Sequence, residues 1–247
     1  MNRNYDETIR DILDRAGPDP VEVHVASGSP LIPSTFLFQF EVPCRYLSAE
    51  ALKVLLNGSV ELGDDYRLPT FGELDGKTPY ADVRMGWHET GMVISLSVRG
   101  KKQPPWCRAT RSDESDGISV FFDTRNVKNS HRASRFCHRF LLLPQGGGSR
   151  LTDPLGIMLP IDRAKELPRP VGPEMLMVRA ESRIDGYLLR AFIPAKALTG
   201  FDTREHRAIG FSYQVFDREL GFQTMAVDPM FPMKNDPSCW ETIRLID

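Results

Sequence analysis

The stretch Gly186-Tyr-Leu-Leu-Arg-Ala-Phe-Ile-Pro194, which runs through Ala195-Lys-Ala-Leu198 to Ala208-Ile-Gly-Phe-Ser-Tyr-Gln-Val-Phe-Asp-Arg-Glu219, decides the fold. Its first part reads as a strand stopped by Pro194 and one helical turn. In its second part Ile209, Phe211, Tyr213 and Val215 point one way, the period of a strand with one face in a core. Upstream, Asp116-Gly-Ile-Ser-Val-Phe-Phe-Asp-Thr-Arg125 repeats the pattern with Ile118, Val120 and Phe122. Further out, Met92, Ile94, Leu96 and Val98 alternate over 92–99, and with 81–87 they predict a hairpin through His88-Glu-Thr-Gly91. Other strands are expected near 136–143, 175–182, 186–193, 207–216, 222–227 and 239–245, with Ile184-Asp-Gly186 turning between two of them. Gln145-Gly-Gly-Gly148 reads as a flexible loop. Helical signals are confined to the N-terminal part. Ile9, Ile12 and Leu13 predict a short helix over 4–15 ended by Gly17-Pro18, and Ser48 caps another over 49–56 that Asn57-Gly58 closes. Phe36, Phe38 and Phe40 mark 36–42 as a strand of the main sheet. The expectation is an all-β fold, an antiparallel β-sandwich of jelly-roll or immunoglobulin-like type. It forms one domain over 1–247, with 1–20 as a helical appendage.

A strand, a proline stop, a one-turn helix and a strand ending in an acidic loop, preceded by the Asp116 to Asp123 strand, is an order with a known likeness. It resembles the family 9 carbohydrate-binding modules and the related DOMON-type β-sandwich domains, over about residues 80–247. The matched positions are apolar strand residues and turn residues, so the likeness speaks first to fold. It implies a sandwich that binds a saccharide without cleaving it. It also admits a structural calcium, toward which Asp217 and Glu219 with a nearby carbonyl would contribute oxygens. No other cofactor is implied.

Composition narrows the function further. The 31 basic and 33 acidic residues nearly cancel, which gives no polyelectrolyte argument for nucleic acid or membrane. No apolar run reaches the length of a membrane span, and the first residues lack the apolar core of a secretory leader. The expected location is therefore cytoplasmic, although the resembling modules are mostly secreted. Cys44, Cys107, Cys137 and Cys239 are scattered without a C-x-x-C pair and read as buried free thiols.

Saccharide recognition uses aromatic faces with polar groups at the rim. Trp87 and Trp240 sit at strand ends in places where similar domains keep a structural tryptophan. Trp106, in Gln103-Pro-Pro-Trp-Cys107, stands in a loop and is the leading ligand contact, with Arg111, Asp123, Arg125 and Arg132 as companions. Strand alternation puts Asp123 opposite Ile118, Val120 and Phe122, hence exposed. Between Asp123 and Asp153 lies a basic island of Arg125, Lys128, His131, Arg132, Arg135, His138, Arg139 and Arg150. Guanidinium groups there would read an acidic sugar, another anionic small molecule or an acidic protein partner. Alternatively they pair with the acids of 61–75 or with Asp113, Glu114 and Asp116 and knit loops together. His131, Cys137 and His138 suggest zinc, but on a strand Cys137 and His138 face opposite ways, which makes His138 a hydrogen-bonded core residue. No nucleophile elbow, zincin helix or phosphate loop is present, and no carboxylate pair is placed across a cleft, so an enzyme is not expected. Two functions follow. One is a non-catalytic module holding a carbohydrate or an anionic small molecule. The other is a β-sandwich interaction domain docking through its basic surface.

Overall fold

Among the described residues there are eleven strands, most of which follow the alternation read from the sequence. They are β1 (Glu41–Tyr46), β2 (Ala81–His88), β3 (Gly91–Arg99), β4 (Gly117–Asp123), β5 (Cys137–Gly147), β6 (Asp153–Leu159), β7 (Met177–Arg183), β8 (Gly186–Pro194), β9 (Ala208–Asp217), β10 (Gly221–Thr224) and β11 (Glu241–Ile246). This computed structural model describes residues 39–58, 60–71, 78–226 and 231–247. The helix expected over 4–15 and most of the strand expected over 36–42 lie outside the described residues. All that follows concerns the unit Ser34–Asp247.

The strands hydrogen-bond in the order β6-β5-β4-β9-β11-β1-β2-β3-β8-β7, with β10 paired to β9. Most neighbours are antiparallel, but β1 runs parallel to both β11 and β2. It thus joins the two layers of the sandwich into one nearly closed sheet. Edge strands β6 and β7 approach at the far side, where a Cβ on Gly156 would lie 2.8 Å from Val178 Cγ2. Between the layers, Ile118, Val120 and Phe122 of β4 meet Ile209, Phe211, Tyr213 and Val215 of β9 and Met92, Ile94, Leu96 and Val98 of β3 in one buried core.

Turn chemistry sets the hairpins. His88 pairs with Gly91 across a two-residue turn, and Gly91 has φ +152° with no room for a side chain, since a Cβ would sit 2.3 Å from Ile193 O. Arg183 pairs with Gly186 across Ile184-Asp185 in the same way.

The helix α1 (Ala49–Asn57) forms where its N-cap predicts: Ser48 Oγ accepts the Ala51 N–H at 3.1 Å. Leu52 and Leu55 bury against Val93 and Phe192, on the outer side of β3 and β8. This explains why β3 is buried on both faces where simple alternation expects one wet side.

Three local readings change. The Gly-rich stretch belongs mostly to a strand: β5 continues through Gly147, which pairs with Asp153 after a bulge beyond Leu143. Strand β6 was not anticipated, because Asp153-Pro154 and Gly156 punctuate a half-exposed edge strand like a loop. The strand expected over 222–227 is confined to β10.

Candidate functional site

Helix α1 covers one part of the outer face of β2, β3 and β8, and the segment 60–71 crosses beside it. That segment is clamped down by Leu68 N–H to Val83 O at 2.8 Å, Tyr213 Oη to Pro69 O at 2.9 Å and Thr70 Oγ1 to Thr224 O at 2.9 Å. Between that segment and the outer face of β2 and β3 lies an open groove of about 700 Å³. Its apolar part comes from Leu68, Pro79, Tyr80 and Leu220, and its charged part from Glu61, Arg67, Asp82, Arg84 and Arg99. Tyr80 is held by its hydroxyl, which donates to Gly221 O at 2.7 Å.

The groove charges are organised. Arg84 forks onto Asp82 with Nε–Oδ1 2.9 Å and Nη2–Oδ2 2.8 Å, and reaches Asp64 at 2.8 Å. Arg67 bridges the same two acids, 2.8 Å from Asp82 and 3.2 Å from Asp64. Arg183 pairs with Glu61 and donates to Ser97 Oγ at 3.2 Å. Half-burial raises the Asp82 carboxyl, but the hydrogen bond and charge of Arg84, joined by Arg67, overcome this and lower its pKa.

Around Trp106 the geometry is different. The indole is half-buried, and three guanidinium groups cover it, with Arg218 at 4.5 Å, Arg111 at 5.4 Å and Arg108 at 5.6 Å from ring centroids. Trp106 and Arg111 therefore do come together, but as a capped stack without an open platform. On the adjoining sheet face, the hollow lined by Ser119, Gln214, Asp113 and Lys234 has a volume of about 10 Å³, room for a water and not for a sugar ring.

Beneath Trp106 lies a buried ionic group. Lys101 Nζ donates to Asp116 Oδ2 at 2.9 Å and to Asp217 Oδ2 at 2.5 Å, and all three side chains are at most 3 % exposed. Burial opposes the charge on Lys101, yet hydrogen bonds and charges of Asp217 and Asp116 outweigh it and raise its pKa. The remaining oxygens are also taken. Asp116 Oδ1 accepts the Arg218 N–H at 2.9 Å, and Asp217 Oδ1 accepts those of Glu219 at 2.9 Å and Leu220 at 3.0 Å. Glu219 in turn accepts the Lys102 and Gln103 N–H groups at 3.0 Å. The two residues to which the likeness assigns calcium oxygens are thus occupied by donors here, Asp217 by Lys101 and two backbone N–H groups and Glu219 by the N–H groups of Lys102 and Gln103. Among the described residues no group of three or more His, Cys, Asp or Glu side chains is placed to hold a metal.

The other expected contacts lie elsewhere. Asp116 and Asp123 bound the seven-residue β4, so Trp106 and Arg125 are separated by roughly 20 Å of strand. Asp123 is buried, contrary to expectation, because it folds back on its own loop: Oδ1 accepts Arg125 N–H at 3.0 Å and Oδ2 accepts Val127 N–H at 2.7 Å. Arg125 donates to Gly200 O at 2.9 Å and lies over Phe136 at 4.7 Å, and Arg132 donates to Arg163 O at 2.8 Å. The five residues do not form one site. Other basic residues of the island are tied as well: Arg139 pairs with Asp113 at 2.8 Å, Arg135 with Glu166 at 3.6 Å, and His131 Nδ1 lies 3.0 Å from Asp236 Oδ2.

His138 is the core residue its alternation predicts. It is fully buried, Nε2 accepts the Thr199 N–H at 2.8 Å, and burial pushes its pKa down to about 4. Cys137 faces the other side of its sheet, packed with Phe121 and Trp240. Trp87 and Trp240 are both structural, their Nε1 groups donating to Ile246 O at 2.9 Å and Met233 O at 2.7 Å. All four cysteines are free and buried. Sequence reasoning missed the buried Glu241. Among the described residues neither of its carboxyl oxygens has a partner in good hydrogen-bond geometry, and burial, only partly offset by the backbone, the nearby Ser212 hydroxyl and Lys128, pushes its pKa up to about 8. Nearby Lys128, which donates to Trp240 O, is pushed down to about 8 by burial.

No family model matches this chain, and no curated protein matches it. Solved structures place the fold: it is an all-β sandwich of the kind formed by family 9 carbohydrate-binding modules. One such module, from Caldicellulosiruptor kristjanssonii in complex with cellotriose, superposes with a TM-score of 0.54 at 14% identity, over 83% of this chain and 93% of that one. A family 9 module of the same organism in complex with glucose gives 0.54 at 15% identity, over 83% and 95%. A protein of Bacteroides uniformis to which carbohydrate binding has been ascribed gives 0.52 at 15%, over 84% and 99%. At these identities the likeness is one of fold.

Proposed function

We propose that this chain is a non-catalytic module that binds a saccharide in the groove between β2, β3 and the segment 60–71. The groove itself carries the reading. Its volume falls in the range of small-ligand sites, its apolar floor of Leu68, Pro79, Tyr80 and Leu220 suits the C–H faces of a sugar, and fixed guanidinium and carboxylate groups stand beside it. Paired side chains such as Asp82 and Arg84 present acceptors and donors at set spacing, which is what vicinal hydroxyls require. The structures with the same fold that hold cellotriose and glucose support a saccharide over other small ligands.

Titration with cellotriose and a panel of oligosaccharides, followed by amide chemical shifts, tests the proposal. Shifts are expected at 67–70, 79–84 and 97–100, with affinity lost in Arg67→Ala and kept in Trp106→Ala. Shifts confined to 106–111, or no binding at millimolar sugar, would overturn it.

A further inference from the structure

The charge inventory of the groove names the class of saccharide. Among the described residues, its walls and the side chains paired to them carry Arg67, Arg84, Arg99 and Arg183 against Glu61, Asp64 and Asp82, four cations to three anions. Every acid is already bound to arginine: Glu61 to Arg183, and Asp64 and Asp82 each to both Arg67 and Arg84. The charge left over is Arg99. Its backbone is fixed, as the last residue of β3 in register with Gly186 and with its N–H donated to Tyr80 O at 3.0 Å. Its side chain shares the outer face with Ser97 and lines the groove. Among the described residues its guanidinium has no carboxylate or carbonyl partner.

We infer that Arg99 is a carboxylate reader and that the groove takes an acidic saccharide, a uronic acid oligomer. The inference rests on the saccharide reading of this groove. A free guanidinium forks onto a sugar carboxylate with two parallel hydrogen bonds, which a neutral hydroxymethyl group in the same place cannot match. The neighbouring acids do not oppose this, since each is neutralised within hydrogen-bond distance by Arg67, Arg84 or Arg183. Those three arginines are in turn engaged, and this leaves discrimination to Arg99.

A matched pair of probes separates the two readings: cellotriose and the β-1,4-linked triglucuronate differ only at C6. With the wild-type chain, calorimetry is expected to give triglucuronate about tenfold tighter binding than cellotriose, with the preference shrinking as salt is raised. Arg99→Gln, at an exposed side chain that holds no partner among the described residues, is expected to erase the preference, lowering triglucuronate affinity about tenfold and cellotriose affinity by much less. Arg99→Lys, which keeps the charge and loses the fork, is expected to restore part of it. Equal affinity for both probes, or a preference that survives Arg99→Gln, overturns the acidic-saccharide inference while the groove reading stands. Binding of neither probe, with no amide shifts in the groove, overturns both.

Discussion

At the scale of single residues, two buried charges are the features with the largest consequences, and both obey the same rule. A charge taken out of water must be paired or neutralised. Lys101 is paired: its ammonium closes Asp116 and Asp217, and those two carboxylates hold the backbone of Trp106, Arg218, Glu219 and Leu220. Lys101→Met would leave two buried carboxylates facing each other, and is expected to lower stability by about 3–5 kcal/mol in denaturant unfolding. Because an ammonium sits between the acids, a chelator is expected to leave the wild-type thermal midpoint unchanged. A large chelator-induced drop would show that a metal, and not Lys101, closes this end. Glu241 is the opposite case, with a folded pKa of about 8 against an ordinary value of 4.5. The folded state therefore holds its proton more tightly. This stabilisation is complete below pH 4.5 and is lost as pH rises through 8, on the order of 4–5 kcal/mol in all. His138 works in the other direction between its folded value of about 4 and 6.5, so the clean readout is a difference. Glu241→Gln minus wild type is expected to rise steadily from pH 4.5 to 8 in urea unfolding, and a flat difference would show that Glu241 titrates normally. Lys128, lowered to about 8 from 10.5, acts above that window.

Among the elements, α1 shows how a local signal acquires a tertiary role. Its cap and its pair of buried leucines roof the outer face of β3 and β8, and its far end delivers the chain to the segment 60–71 that walls the groove. Ser48→Ala is expected to cost about 1 kcal/mol and Leu55→Ala 2–5 kcal/mol, measured by equilibrium unfolding. The Leu55 change alone should also weaken saccharide binding, because it loosens the roof beside the groove. The strands and this helix were legible in the sequence because each rests on a local rule: period-two alternation in β3, β4 and β9, a Ser cap, a two-residue turn before Gly91. β6 was not, since Pro154 and Gly156 suit an edge strand and a loop equally, and only pairing with β5 separates them. The groove was illegible for a related reason. Its walls come from 61–70, 79–84, 97–100 and Leu220, and its ion pairs span distances such as Glu61 to Arg183. The Asp82 to Arg84 alternation on β2 was visible, but nothing local marked it as part of a site. Trp106 drew attention as a loop tryptophan, and the sequence alone did not bring Arg218 down onto its ring.

For the whole molecule, closure depends on a short parallel clasp. β1 joins five residues of β11 on one side and only Arg45 and Tyr46 to Gly86 and Trp87 of β2 on the other. Other ties cross the same seam: Trp87 Nε1 donates to Ile246 O, and Leu47 N–H donates to Trp87 O at 2.8 Å. The far edges, β6 and β7, pack without pairing. The sandwich therefore has one hydrogen-bonded seam and one packed seam, and their amides should report different stabilities. Native-state hydrogen exchange is expected to show amides of β9, β3 and β11 opening only with global unfolding, and outward amides of β6 and β7 opening at far lower cost. Ending the chain at Cys239 sharpens the test. Without β11, β9 loses a partner along Ala208–Phe211, β1 keeps only its two rungs to β2, and the Trp87 indole N–H is left without its carbonyl. Such a chain is expected to lose its cooperative thermal transition entirely. If it instead melts in a single sharp step near the wild-type midpoint, closure does not depend on the clasp, and the stability of the sandwich resides in the packing of its two layers alone.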